Sequence, residues 1–571
     1  MIWNGIMKII NDVGIVKNYS LPRCSESVCV GPLSDIYCNG KLIYITWLFG
    51  LQSTCPGEML LRSPKEVLGD FYSLPNPIKR ENFEKFCNRN FAKFPYLSSA
   101  ELSDWTQEPY NIRLLNDTHL RNFTLKLNAI WKKLGRQFNP EVREKIHLFP
   151  VFPVPNPFIV PGGFFNIYFY WDSYWIIKGL LFSNMTLTSR NILNNFATVI
   201  THFNFIPNSG NIGLSRRTQP PLFVQMVADF YDATKNKTFL AEIMPFIETE
   251  LSWWQQNRSI SVDLPTGERY SLFRYNSISN CPRPENYLVD LDNGLNGTGD
   301  PEFIWSSIAS ACESGLDFSS RWFEYDGPHA GTKFSIRTNT VIPVDLNVFM
   351  AWNYFTVGNF FKILGKENKT KKYDILGKEL KNAIQAVMWN DEDGIWYDYD
   401  LVKRQHRKRF YPSDVFPLLL GEVSDEIGSK ILSYLESVQV LDFRGGIPSS
   451  LDKESEQQWD YPNGWAPTIH LFVESLRVSG HKQLQKLAKD IADKFIHTVY
   501  NGLMNTSQSL PSACWEKYDV RYEDGRPGNG GEYIVQQGFG WTNGAVLDMI
   551  RRFYILQSGH FDLDSKGYSI C

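Results

Sequence analysis

The amino-acid sequence predicts an all-α fold in which helix hairpins close into a ring and long loops form a cleft at one end. Beyond about residue 110, apolar residues recur at helical spacing in segments that occur in pairs. Strand-like alternation between regular turns is scarce. The loops between the paired segments hold most of the Gly- and Pro-rich stretches. These observations together favour a helical scaffold with its unusual residues on the loops.

The predicted helices follow one another in pairs. Leu222–Tyr231 and Phe239–Gln255 form the first pair, separated by a polar turn at residues 234–237. The later segments with the same spacing are Asp345–Leu364, Tyr373–Trp389, Glu422–Val438, Thr468–Val478 and Gln483–Tyr500. Each amphipathic helix must bury its apolar stripe, and a closed ring of hairpins buries all of them while leaving the loops free.

Composition excludes some classes of partner. Of the 571 residues 43% are hydrophobic and 21% charged, which is ordinary for a globular protein. The net charge of −3 and the pI of about 6.3 give no electrostatic basis for binding nucleic acid or an anionic membrane. The apolar run at residues 42–51 is too short for membrane insertion. The aromatic content of 15% suits packed helices and also the flat faces of sugars.

Three loops combine turn residues with aromatic and acidic side chains, at residues 161–163, 458–460 and 528–531. Taken one at a time, each loop is explained by turn chemistry, because Gly permits positive φ and Pro fixes φ. Taken together, with Trp near Asp or Glu, they favour a shared polar cleft.

Carboxylates are the chemical resource of this sequence. The sequence contains no Gly-x-x-x-x-Gly-Lys-Ser/Thr phosphate loop, no His-Glu-x-x-His zinc-binding motif and no Gly-x-Ser-x-Gly nucleophile elbow. Hydrolysis of a glycosidic bond needs one protonated carboxyl and one ionised carboxylate. Candidate acids lie in the stretches 313–322, 515–519 and 532–533, where an acid taken alone is more often a surface or helix-capping residue. Spacing does not rank them.

A family resemblance ranks them. The run QWDYPNGWAP at residues 458–467 resembles one signature of the trehalase family in full, and PGGFF at 161–165 through WDSY at 171–174 resembles the other. Further similar segments follow in the family's order: IPN at 206–208, RTQPP at 217–221, RPE at 283–285, DFSSRW at 317–322, GGEY at 530–533 and GFGWTNG at 538–544. The resemblance runs from about residue 60 to about residue 550, and the ordered set is highly specific.

The resemblance implies an (α/α)6 barrel that hydrolyses α,α-trehalose to two glucose molecules with inversion, using neither a cofactor nor a metal. It implies that Asp317 is the general acid and Glu516 the general base. The residues that it assigns to sugar binding are Trp171, Asp172, Asn208, Arg217, Thr218, Gln219, Arg283, Pro284, Glu285, Gly315 and Glu532.

The first signature departs from the family pattern. Phe164, Ile167 and Phe169 stand where the family has Arg, Glu and Tyr, and Leu316 replaces a Trp before the acid. Loss of a charged hydrogen bond costs roughly 1.5–3 kcal/mol, about ten- to a hundredfold in binding. Two alternatives therefore stay open: a trehalase-like sugar-binding protein with weak or no activity, and a related hydrolase for another glucoside.

We divide the chain into a divergent N-terminal segment at residues 1–60, a barrel at 61–555 and a tail at 556–571. Five of the nine cysteines lie before residue 88, so the N-terminal segment is a candidate for disulfide links. Sequons at Asn18, Asn116, Asn122, Asn184, Asn236, Asn257, Asn296, Asn368 and Asn505 tilt the expected location towards the secretory route. Residues 1–20 contain polar interruptions atypical of a signal peptide, which leaves a cytoplasmic location open.

Overall fold

A computed structural model describes residues 15–16, 21, 24–504 and 511–555 of the chain. Helices make up most of these residues, and their strands form only sheets of two or three strands. The all-α prediction is therefore confirmed. The predicted tail at residues 556–571 and most of residues 1–20 lie outside the described residues.

The long helices form two rings that alternate along the chain. The inner helices are Asp172–Phe182, Phe223–Thr234, Val344–Ile363, Pro412–Leu420, Ala466–Val478 and Gly540–Ile550. The outer helices are Thr118–Leu134, Thr186–Phe203, Lys237–Arg258, Glu367–Met388, Asp425–Ser437 and Lys482–Met504. Each inner helix contacts the next, and the last contacts the first. This arrangement is an (α/α)6 barrel.

All seven helices predicted from spacing are present, with ends that shift by a few residues. The turn between the first pair has a local cause. Lys235 adopts a left-handed conformation with φ of 52°, and the Asn236 side chain accepts a hydrogen bond from the Phe239 backbone nitrogen. These two residues end one helix and begin the next.

The inner helices that the sequence did not reveal are buried on nearly every side. In Gly540–Ile550 all eleven residues are buried, so the segment has no solvent-exposed face and shows little helical periodicity. The fourth inner position, Pro412–Leu420, is a 3-10 helix that contains Pro417. A proline removes a backbone donor, so this segment does not show the pattern of an α-helix.

The ring closes where the helices Asp172–Phe182 and Gly540–Ile550 cross. A Cβ atom at Gly179 would lie 2.8 Å from the Cα atom of Gly544, and one at Gly544 would collide with the Trp175 carbonyl group. Only glycine at both positions lets the two backbones approach this closely. The seam therefore depends on the absence of two side chains.

Shorter elements complete the structure. The remaining helices are Ser34–Tyr37, Lys41–Leu48, Pro64–Tyr72, Arg80–Asn90, Tyr110–Arg113, Pro140–Glu144, Tyr287–Asn296, Pro301–Glu313 and the π-helix Arg551–Ile555. Short 3-10 turns are Ile146–Leu148, Ile212–Leu214, Pro284–Asn286, Ser320–Trp322, Lys333–Ser335, Thr338–Thr340 and Val440–Asp442.

The strands pair antiparallel throughout. They are Ile15–Val16 with Ile78–Lys79, Met59–Leu60 with Phe91–Ala92, Ser259–Asp263 with Arg269–Phe273, and Trp389–Asn390 with Ile395–Trp396. Three-stranded sheets consist of Leu97–Ser99, Gly135–Phe138 and Phe158–Ile159, and of Val341–Ile342, Tyr399–Asp400 and Gln405–His406. The pair Asn463–Trp465 with Lys517–Asp519 matters for the site.

Three disulfides link the N-terminal region to itself and to the barrel. They are Cys24–Cys281, Cys29–Cys38 and Cys55–Cys87. Cys312 and Cys514 are free and buried. The division of the chain at about residue 60 stays a prediction. Among the described residues, no helix combines the length and the apolar character needed to cross a membrane.

Candidate active site

A cavity of about 870 Å³ lies where the inner helices begin. Trp171, Trp465 and Phe539 line it, and each immediately precedes an inner helix. The predicted site residues that line this cavity are Trp171, Asp172, Asn208, Arg217, Gln219, Arg283, Pro284, Glu285, Gly315, Asp317, Glu516 and Glu532. The fold therefore brings together residues that are far apart in sequence.

Thr218 is placed differently from its predicted neighbours. It is fully buried, and its hydroxyl donates a 2.5 Å hydrogen bond to the Ile206 carbonyl oxygen. Its backbone nitrogen donates to Glu313, and it does not line the cavity. Thr218 therefore supports the loop that carries Arg217 and Gln219.

Two of the other candidate acids already have cationic partners. The buried carboxylate of Glu313 accepts two hydrogen bonds of 2.7 Å from the Arg258 guanidinium. Asp519 pairs with Arg521 at 2.6 Å. Because both carboxylates are occupied in this way, neither is available for acid–base chemistry in the cavity.

Asp317 reaches the cavity through a turn after the helix Pro301–Glu313. Burial raises the pKa of its carboxyl to about 7, while Arg283 and Arg217 pull that pKa down. Gln458 donates a 2.7 Å hydrogen bond to its backbone carbonyl oxygen and so fixes the loop. A carboxyl with this pKa retains a proton near neutral pH, which is the property of a general acid.

Glu516 reaches the cavity from the strand pair near the end of the chain. It precedes Lys517, which pairs with Trp465 of the 458–467 signature. Burial raises the pKa of Glu516 to about 7, whereas a hydrogen bond from Tyr533 lowers that pKa. The Trp541 indole donates 3.0 Å to the Glu516 carbonyl oxygen and holds the backbone in place.

Asp172 places a third carboxyl in the same cavity. It is 3% exposed, and burial raises its pKa to about 8, with Glu516 and Asp317 raising it further by like-charge repulsion. Asp172 is therefore neutral near pH 7. In that state its carboxyl has a proton to donate as well as an oxygen to accept a hydrogen bond.

Basic side chains face these carboxyls. Arg217 pairs with Glu285 at 2.7 Å, and Arg283 forms two hydrogen bonds of 2.7 and 2.8 Å to Asp290. Arg283 also lies 3.5 Å from Glu532. The Asp290 carboxylate therefore aims the Arg283 guanidinium at the cavity.

Indole rings form one wall. The Trp171 ring packs 5.9 Å from Trp459 and 5.8 Å from Trp541, and Trp459 stacks on Trp465 at 3.9 Å. Gly315 has φ of +77°, and a Cβ there would lie 2.6 Å from the Trp171 ring. Glycine at this position therefore lets the loop before Asp317 lie directly against the indole.

Comparison with known proteins identifies the family of this chain. A sequence model of the Trehalase family matches residues 52–554. The chain belongs to the trehalase family. It is 36% identical to human trehalase over 96% of this chain and 94% of that protein. It is also 36% identical to the trehalase of Apis mellifera over 91% of this chain and 84% of that protein.

A solved structure supports the fold alone. The neutral trehalase of Saccharomyces cerevisiae superposes with a TM-score of 0.56 and 21% identity. The match covers 69% of this chain and 73% of that protein. The (α/α)6 barrel expected for the trehalase family is thus confirmed.

The residues that depart from the family signature differ in their relation to the cavity. The Phe164 side chain is 69% exposed at the cavity rim, where its backbone nitrogen donates 3.0 Å to Gln536. Ile167 is buried and does not line the cavity, whereas Phe169 does. Leu316 is half-buried beneath the indole wall. Two of the four substituted positions, Phe164 and Phe169, therefore line the cavity, and the other two lie outside its lining.

Sequence reasoning missed part of the cavity wall. Residues 52–58 and Trp47 line the cavity, although they lie in the segment that we separated from the barrel. It also missed Tyr533, whose hydroxyl contacts Glu516, and the aromatic side chains Phe165 and Phe539. Tyr533 follows Glu532 directly in the GGEY motif, and that adjacency was the available signal.

One grouping among the described residues resembles a set of metal ligands: His470, Glu474 and Asp548. The Glu474 carboxylate pairs with Arg477 at 2.8 Å, and Asp548 lies 3.7 Å from Lys178. Because cationic side chains already compensate these carboxylates, the cluster is explained as a buried ion-pair network.

Proposed function

We propose that this chain hydrolyses α,α-trehalose to two glucose molecules with inversion, with Asp317 as general acid and Glu516 as general base. The observation that supports the proposal is that two carboxyls of raised pKa line one sugar-sized cavity in a member of the trehalase family. Sequence similarity to trehalases over most of the chain supports the substrate.

The chemistry needs one proton donor and one proton acceptor. The Asp317 carboxyl gives its proton to the glycosidic oxygen as the bond from that oxygen to the anomeric carbon breaks. A water molecule attacks this carbon from the opposite face and gives a proton to the Glu516 carboxylate. Water consumed and two glucose molecules formed balance the reaction, and a proton transfer through solvent restores both carboxyls.

The remaining cavity residues suit the two glucose units. Arg217, Arg283 and Glu532 present charged groups, and each can engage more than one hydroxyl. Arg283 and Lys333 hold the pKa of the Glu532 carboxyl at about 2, so it stays an acceptor at neutral pH. Trp171 offers a flat apolar surface to a sugar ring.

The alternative, a sugar-binding protein without turnover, rests on the residues that depart from the signature. The support for this alternative is weaker because Phe164 lies at the rim of the cavity and Ile167 does not line the cavity. The open cavity and the two retained carboxyls favour an enzyme.

The test is glucose release from trehalose by purified protein, compared with Asp317→Asn and Glu516→Gln. Each variant is expected to lose at least about a hundredfold in kcat, since general acid–base catalysis contributes about 10²–10⁴. Nuclear magnetic resonance of the first product should show equal α- and β-glucose, because only the attacked ring inverts. Absence of glucose release above the two variants overturns the proposal, and trehalose-dependent thermal stabilisation without turnover supports the binding protein.

We also propose a secretory location. Six sequon asparagines are exposed: Asn116, Asn122, Asn184, Asn257, Asn296 and Asn368. Three disulfide pairs fit an oxidising compartment. Protein from a secreting eukaryotic host should lose mass on treatment with an N-glycosidase, and an unchanged mass would contradict this location.

A further inference from the structure

Both oxygens of the Glu516 carboxylate have a donor. The Tyr533 hydroxyl donates 2.7 Å to Oε1, and the Gln536 backbone nitrogen donates 3.2 Å to Oε2. The two donors belong to one loop, three residues apart. The orientation of the carboxylate therefore depends on where this loop lies.

The loop is anchored at Glu532 and at the Tyr533 ring itself. Before it, the Glu532 carboxylate accepts a 2.7 Å hydrogen bond from Lys333. The tyrosine ring itself packs edge-on against Phe165 at 5.3 Å, and Phe165 packs against Phe539 at 5.9 Å. Because Phe539 directly precedes an inner helix, these ring contacts fix the position of the Tyr533 hydroxyl relative to the barrel.

We propose that Tyr533 is a positioning residue that aims the Glu516 carboxylate and stabilises its ionised form. The inference rests on the proposed function and adds a residue to it. A tyrosine hydroxyl that donates to a carboxylate favours the charged state of the acceptor, which is the state that a general base requires. Burial raises the pKa of Tyr533 well above its ordinary value, so the hydroxyl keeps its proton.

Other charged groups around Glu516 also affect the pKa values in the site. Lys517 lowers the pKa of Glu516, and the Glu516 carboxylate in turn raises the pKa of Asp172. Asp317 and Glu516 both act on the Tyr533 hydroxyl as negative charges and raise its pKa. These side chains are the same in the wild type and in a variant that lacks only the tyrosine hydroxyl, so a comparison of the two reports on that hydroxyl.

The experiment compares Tyr533→Phe with the wild type across pH. Loss of the donated hydrogen bond raises the pKa of Glu516, so the acidic limb of kcat/KM should move up by about one pH unit. We expect kcat at the wild-type optimum to fall about tenfold, with KM for trehalose within about twofold.

Tyr373→Phe is the matched control. Its hydroxyl donates 3.1 Å to Glu248, another carboxylate, in a separate groove between outer helices. This variant should keep the wild-type pH profile, and melting temperatures of both variants report any loss of folding. Tyr533→Phe with an unmoved acidic limb overturns the inference. If the wild type itself releases no glucose, the proposed function fails instead.

Discussion

The Trp47 indole nitrogen donates a 2.9 Å hydrogen bond to the carbonyl oxygen of Pro284. Pro284 lies between Arg283 and Glu285, two side chains that face the cavity. The Cys24–Cys281 disulfide joins the same two regions a few residues away. The N-terminal segment therefore braces the loop that carries two of the proposed sugar-binding charges.

Trp47→Phe tests this brace. The change keeps an aromatic ring but removes the N–H group, so the loop at Pro284 loses one hydrogen bond worth about 1 kcal/mol. We expect KM for trehalose to rise about fivefold and kcat to change less than about twofold. Trp105→Phe is the control, because the Trp105 indole donates 3.1 Å to the Asn128 carbonyl oxygen and does not line the cavity. Equal KM values for the two variants would contradict the brace.

The pH dependence of kcat/KM should be bell-shaped around about pH 7. The pKa of Asp317, raised to about 7, means that the acid loses its proton and its function as pH rises through that value. The pKa of Glu516, also raised to about 7, means that the base becomes protonated as pH falls through it. Initial rates between about pH 4 and 9 measure both limbs, with circular dichroism as the check on folding. A profile without an alkaline limb would argue against Asp317 as the acid.

Phe164→Arg restores the residue type of the family signature at the cavity rim. Because Phe164 is 69% exposed, the substitution should leave the melting temperature within about two degrees. A new charged hydrogen bond to the sugar is worth roughly 1.5–3 kcal/mol, so KM should fall about tenfold. Trehalose saturation kinetics measure this change. An unchanged KM would mean that the rim position does not contact the substrate.

Gly315→Ala tests the contact between the acid loop and the indole wall. The added Cβ would lie 2.6 Å from the Trp171 ring at a φ of +77°, so backbone strain and a steric clash act together. We expect a loss of about 1–3 kcal/mol in the free energy of unfolding and a marked fall in kcat. Gly331→Ala, at φ +72° with nothing within 4 Å, carries the strain alone and should keep full activity. Similar kcat values for both variants would exclude the clash.

The sequence predicted four of the six outer helices and three of the six inner ones. An outer helix such as Lys482–Met504 has one buried stripe, and that stripe is visible as periodicity. Inner helices such as Gly540–Ile550 are buried on all sides and show no stripe. Spacing did not identify the catalytic candidates. The family motifs pointed to Asp317 and Glu516, and the fold places both in one cavity.

The partners of these site residues were harder to foresee. Asp290 orients Arg283, and Tyr533 contacts Glu516, through contacts that depend on the folded chain. Trp47 reaches the cavity from a segment without a family motif. Thr218 was assigned to the sugar by its position within a motif, yet its side chain faces the Ile206 carbonyl oxygen. A motif predicts which loop carries a residue. The direction in which the side chain points is seen only in the folded structure.

The glycine seam between Gly179 and Gly544 has a consequence for biosynthesis. Ile176 and Gly179 emerge from the ribosome early, but the helix that covers them is among the last described segments to be translated. Throughout elongation the nascent polypeptide therefore exposes an apolar flank that only its own late-made region can shield. Premature termination before residue 540 would leave that flank bare, and such products should be retained by chaperones or degraded.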